Sequence, residues 1–120
     1  PQFAARMAGV EIDLENMKTT NLRVIAAVAG GGVPGAESSM LKIRGTEIRQ
    51  EILSLIRRAM GPYALPFIEA AQYEGYADEP VGPKEAATAA ANYFNYRKLS
   101  IFGGSNEIQK NIISKMILGL

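Results

Sequence analysis

The chain has no cysteine and no histidine. Without thiols it can hold no disulfide, no cysteine nucleophile and no thiolate metal site. Without imidazole it lacks the commonest metal ligand and general base. Proton transfer would have to rest on Asp, Glu, Lys or Tyr. Neither sign of charge is in excess: 13 Lys and Arg stand against 12 Asp and Glu, a formal net charge of +1. The basic residues are spread along the chain, which argues against a nucleic-acid face or a polybasic membrane surface. These 120 residues show no signal-peptide pattern and no apolar run long enough to span a bilayer. Internal repeats, low-complexity tracts and strand-like alternation are missing as well.

What is present is helical periodicity. The chain has 120 residues, 48% of them hydrophobic, enough to fill the core of one small domain or of one piece of a larger protein. It opens at Pro1 without Met, inside helical sequence, so a fragment of a longer polypeptide is expected.

Phe3, Met7, Val10, Leu14, Met17, Val24 and Val28 recur at helical spacing and predict a long amphipathic helix over about 2–29. Polar Asn21 interrupts this stripe, either as a buried contact or as a position at the bundle edge. Gly30-Gly31-Gly32 and Pro34-Gly35 end the helix. Ser38 or Ser39 is the expected cap of a second helix. Its stripe is Leu41, Ile48, Ile52, Leu55 and Ala59, with Gly45 where a neighbouring backbone could come close. Lys42, Arg44, Arg49, Glu51, Arg57 and Arg58 lie mostly off that stripe, as on a solvated face. Gly61-Pro62 stops the helix near Met60.

Residues 61–82 hold Gly61, Pro62, Pro66, Gly75, Pro80 and Gly82 among Tyr63, Phe67, Tyr73 and Tyr76. This long connection has little periodicity, and its aromatics point to packing rather than disorder. A helical turn is expected between Pro66 and Tyr73. Pro83 suits the first turn of a third helix, whose Ala86–Ala91 run permits close approach to its neighbours. A fourth helix carries Ile108, Ile112 and Met116, with Ile113, Ile117 and Leu120 on an adjoining line. It is apolar on more than one side and so requires a second partner surface. The sum is an all-α chain, an antiparallel four-helix up-and-down bundle.

Between the third and fourth helices stands Gly103-Gly104-Ser105-Asn106-Glu107-Ile108-Gln109. The glycines open backbone angles closed to other residues, and Ser105 or Asn106 can cap the helix that follows. Such a corner suits a phosphate or a carbonyl that is gaining charge, and it serves equally as a plain connector.

The segment from Tyr96-Arg97-Lys98-Leu99-Ser100 through Phe102-Gly103-Gly104-Ser105-Asn106-Glu107 to Ile112-Ile113 closely resembles the C-terminal signature of acyl-CoA dehydrogenases. The closing Ile117-Leu118-Gly119-Leu120 resembles the usual end of many bacterial members. The long helix after Pro1-Gln2, and the second helix with Lys42 and with Gly61 after its last turn, are similar to the family's helices at those places. The resemblance covers nearly the whole chain. It implies most of a C-terminal helical domain at 1–120, lacking that domain's first helix and the N-terminal and middle domains.

The resemblance further implies a flavoenzyme of fatty acid or lipid catabolism that binds FAD and an acyl-CoA thioester. A carboxylate would take the α-proton while a hydride leaves the β-carbon for the flavin. An electron-transfer flavoprotein type of acceptor, a dimer, a tetramer or a heteromer with a related subunit, and a bacterial cytoplasmic setting belong to the same expectation. Carried over residue by residue, Ser105 and Glu107 contact the flavin, the Gly104 N–H meets the thioester carbonyl, and Phe102 lies on the substrate side. Gly103 stands where many members carry the catalytic Glu, so no catalytic residue is expected in this chain. The base is expected on the helix before Pro1, and the fragment alone should be inactive. Arg58 replaces a frequent Gln and Gly61-Pro62 replaces Gly-Gly at the second flavin corner. Arg58 is there either a partner of the FAD diphosphate or a surface cation at a helix C-terminus. The alternative function is a non-catalytic assembly subunit of a heteromeric enzyme.

The helix faces meant for a missing domain or subunit predict that the chain associates in solution. Light scattering that returns a clean monomer at high concentration would contradict this.

Overall fold

A computed structural model describes residues 1–79 and 81–120. Pro80, one of the six turn-formers of the long connection, lies outside the described residues. Four α-helices form, α1 (Gln2–Ala29), α2 (Glu37–Met60), α3 (Ala86–Asn95) and α4 (Asn106–Leu118), and no strand occurs among the described residues. The fold class is all-α, as the periodicity implies. Short 3₁₀ helices follow α2 at Gly61–Ala64, lie within the connection at Glu69–Gln72, and follow α3 at Tyr96–Ser100. The chain divides into two compact units, one of Pro1–Ile48 with Lys98–Leu120 and one of Arg49–Arg97.

In the first unit α1 carries no buried residue. Its better-covered positions are Arg6, Val10, Asp13, Met17, Thr20 and Val24, again at helical spacing. Three of the expected stripe residues, Val10, Met17 and Val24, belong to that line. Phe3, Met7, Leu14 and Val28 do not: they are exposed, as are Ile12, Leu22 and Ile25. Asn21 is exposed, which fits an edge position. The difference arises because α1 has apolar residues on more than one face, so periodicity alone does not select the face that meets α2.

The α1–α2 contact contains an ion pair, Asp13 to Arg44 at 2.8 Å, and Arg44 also pairs with Glu47 at 2.6 Å. Both arginine partners are about half exposed, so these pairs contribute little to stability. Gly45 meets a side chain and not a backbone: a Cβ there would lie 3.5 Å from Met17 Sδ. α2 begins at Glu37, with Met40 N–H donating to Ala36 O at 3.1 Å. Ser38 and Ser39 are therefore inside the helix and do not cap it. The buried residues of this half of α2 are Ser39, Ile43, Thr46 and Ile48. Ile43 and Thr46 lie outside the expected stripe, since α2 is covered on more than one side.

In the second unit the core is Leu53 and Leu55 of α2, Ala64, and Ala86, Ala87, Ala89 and Ala90 of α3. Ala59 is exposed, in contrast to its expected place on the stripe. The alanines let α3 lie close to the two 3₁₀ turns that precede it. Those turns account for the packing expected of the long connection, although Tyr63, Leu65, Phe67 and Tyr73 remain at least half exposed. Gly82 has φ +88°, and a Cβ there would fall 2.5 Å from the ring of Tyr63. Pro83 lies one turn ahead of α3, its carbonyl accepting from Ala86 N–H at 2.9 Å.

The charges of α2 are also less solvated than their pattern suggests. Arg49 lies 4.7 Å from the ring centre of Tyr96, and Arg57 and Arg97 lie 4.8 and 4.5 Å from that of Tyr93. Such stacks are worth about 0.5–1 kcal/mol each at exposed sites.

Because Ala90 is only 4% exposed, Ala90→Leu should lower the stability of the chain by about 1–3 kcal/mol through overpacking. The urea midpoint measures this. Ala8→Leu, on exposed α1, should leave the midpoint within about 0.5 kcal/mol of the parent.

Candidate functional site

The corner before α4 is built by a sequence of local constraints. The 3₁₀ helix Tyr96–Ser100 closes with Ile101 and Phe102 N–H groups both donating to Lys98 O, at 2.9 and 3.1 Å. Ile101 and Phe102 then point into solvent, 70% and 53% exposed. Gly103 and Gly104 follow with φ of +69° and +83°. Two successive left-handed residues are costly for anything but glycine, about 1–2 kcal/mol each. Ser105 returns to extended backbone, φ −61° and ψ 159°, and caps α4.

Ser105 Oγ accepts from Ile108 N–H at 3.4 Å, and Ser105 O accepts the first helical bond from Gln109 N–H at 2.9 Å. Gln109 turns back to donate from Nε2 to Gly103 O at 3.4 Å. It also fills the space beside Gly104, where a Cβ would sit 2.6 Å from that same Nε2. A Cβ on Gly103, by contrast, would meet nothing within 4 Å. Among the described residues no protein acceptor takes the N–H of Gly103 or of Gly104. The corner thus offers free amide donors next to the positive end of a helix.

Glu107 stands in the first turn of α4. Its carboxyl is held below the ordinary glutamate range, chiefly by its own backbone N–H and then by the Ser105 hydroxyl, with Lys110 and Lys42 adding smaller attractions. Lys42 reaches the corner from α2 and donates from Nζ to Asn106 Oδ1 at 2.9 Å.

Of the residues singled out in the sequence, Phe102, Gly103, Gly104, Ser105 and Glu107 come together here. Arg58 and Gly61 belong to the other unit, at the end of α2. Arg58 is exposed in the last turn, beside the carbonyl end of the helix. Gly61 has φ +56° and open space around it. The neighbouring Arg57 is the engaged arginine: it faces Tyr93, and its buried Nε has no hydrogen-bond partner among the described residues. Lys42 was not legible as part of the corner, and neither was the role of Asn106 as its acceptor or of Gln109 as a brace. Gln109 could have been found four residues after the cap, but nothing local pairs position 42 with position 106. No group of three Asp, Glu, His or Cys among the described residues could hold a metal ion. No helix among them is long and apolar enough to cross a membrane.

Ser105→Ala should remove the cap and cost about 0.5–1 kcal/mol, the low end of the usual range because the bond is long. Chemical denaturation reads this loss. The Glu107 carboxyl should move back up toward ordinary values in the same variant, as followed by carboxyl NMR. Because its folded value is depressed, the Glu107 contribution is complete above the unfolded carboxyl range and is lost as pH falls through the folded value.

Comparison with curated proteins gave no match, and neither did comparison with solved structures. The family described as acyl-CoA dehydrogenase, C-terminal domain, matches residues 1–118. With that match over nearly its whole length, on an all-helical chain, the protein belongs to the acyl-CoA dehydrogenase family through its C-terminal domain.

Proposed function

We propose that this chain is the flavin- and substrate-contacting domain of an FAD-dependent enzyme that α,β-dehydrogenates acyl-CoA thioesters. The observation that carries the proposal is the free amide pair at Gly103 and Gly104, set against the N-terminus of α4. Enolate-like charge on a thioester carbonyl is what such fixed donors stabilise. The Gly104 N–H takes that oxygen, and Phe102, exposed beside it, offers an apolar surface to the acyl chain. Ser105 and Glu107 hold the flavin side of the corner. Arg58 and Gly61 would serve the distal part of an FAD bound to a neighbouring subunit, with Pro62 supplying one N–H fewer than a glycine would. When bound, FAD supplies the hydride acceptor.

Proton removal needs a carboxylate, and this corner has none in position. Gly103 has no side chain, and its left-handed backbone would strain a glutamate placed there. The Glu107 carboxyl is drawn toward its own N–H and the Ser105 hydroxyl, and in this reading it serves the flavin side. In this reading the base would be a carboxylate on a helix about one helix length before Pro1, with the N-terminal and middle domains further upstream. The exposed apolar residues of α1 and α4 face those parts or further subunits. An electron-transfer flavoprotein type of acceptor and a bacterial cytoplasmic setting complete the proposal.

The altered Gly61-Pro62 corner and the missing Glu at 103 favour one second reading, a non-catalytic subunit of a heteromeric enzyme. The two readings separate on the sequence preceding Pro1, where only the first requires a Glu or Asp on a helix. The decisive experiment is anaerobic mixing of the flavin-loaded full-length protein with a panel of acyl-CoA thioesters. Bleaching of the flavin is the expected outcome. An unbleached flavin across the panel, with FAD bound, would leave the assembly reading.

A further inference from the structure

Lys42 is separated from the corner by 64 positions in sequence, yet its ammonium donates to the Asn106 side chain at 2.9 Å in a partly buried contact. Asn106 is the first residue of α4. One turn further along α2, Thr46 is 6% exposed, and its hydroxyl donates to Lys42 O at 2.7 Å. The same hydroxyl lies 3.5 Å from Leu99 O. It has one proton, and the shorter contact takes it, so the approach to Leu99 is packing more than a bond. The two residues nevertheless place one face of α2 against both ends of the segment 99–106. Between those ends lie the two left-handed glycines, Gly103 with open space where a Cβ would be and Gly104 packed by Gln109.

From this geometry we infer that Lys42 is a positioning residue: by holding Asn106 it fixes the start of α4 and so the aim of the Gly103 and Gly104 amides. A hydrogen bond to a charged group in partial burial is stronger than a neutral one. It is also the one side-chain hydrogen bond between α2 and α4 among those described. The nearby Glu107 carboxylate also feels the same ammonium, as a smaller attraction. The functional part of this inference rests on the dehydrogenase proposal, whereas the clamp itself does not.

The test is amide hydrogen exchange on the full chain without flavin, comparing Lys42→Met, Lys42→Arg, Asn106→Ala and the double variant Lys42→Met/Asn106→Ala. Lys42→Met keeps the apolar stem and removes the donor. Exchange at Ile108 and Gln109, the hydrogen-bonded amides at the head of α4, should then rise roughly tenfold, as expected for losing one hydrogen bond to a charged group, while α3 is unchanged. Lys42→Arg should restore most of the protection. Asn106→Ala should match Lys42→Met, and the double variant should add nothing further. Unchanged exchange at Ile108 and Gln109, additive effects, or failure of Arg to rescue would overturn the inference. If Lys42→Met does not fold, Asn106→Ala carries the same test from the other partner. A clamp verified here beside an unbleached flavin would remove only the dehydrogenase reading, and the reverse pair of results would remove only the clamp.

Discussion

The corner at the head of α4 depends on two consecutive residues holding left-handed backbone angles. Gly103 and Gly104 reverse the chain in the space of two residues and leave their amides pointing away from any protein acceptor. The reversal lets Ser105 reach extended geometry and accept the Ile108 N–H, which starts the helix. Once the helix has started, its positive end and the free amides act in one place. Every other group at the corner serves this arrangement. Gln109 braces Gly103 O and occupies the volume a Cβ at 104 would need, and Glu107 is drawn onto the cap.

The division of roles follows from what the corner cannot supply. A site of backbone donors stabilises developing negative charge well but abstracts no proton. The carboxylate at 107 satisfies the helix terminus, and a depressed carboxyl is a weaker base than an ordinary one. In the proposed reaction, charge stabilisation and proton removal would thus fall to different elements, and the corner would supply only the first. The apolar surface of α1 and α4 carries the same message at the level of packing. Helices with no buried residue and many exposed Ile, Leu, Met and Phe side chains are built to be covered.

Helix existence was legible because it is a local property. Period and breakers showed that four helices form, with α1 and the end of α2 within a residue or so, whereas α3 begins three residues after Pro83. The corner was legible for the same reason: Gly-Gly-Ser ahead of an apolar helix fixes its own geometry. The face each helix turns inward was much less so. Phe3, Met7 and Leu14 read as core beside Val10 and Met17, yet only the latter pair is covered. Likewise Ser38 and Ser39 read as caps but lie inside α2, since the chain could continue its helical turn back to Glu37.

The sequence by itself determined that the chain is all helical, where the helices break, and that the glycine pair, Ser105 and Glu107 form one corner, because each of these follows from interactions over a few residues. Tertiary structure alone decided which distant partners Lys42, Arg49 and Arg57 take. Lys42 reads as a solvated lysine until α2 lies beside α4, and then it holds Asn106. Arg49 and Arg57 read the same way until Tyr96 and Tyr93 come under them. Contacts between residues far apart in sequence leave no periodic trace, so they become visible only when the helices are in place.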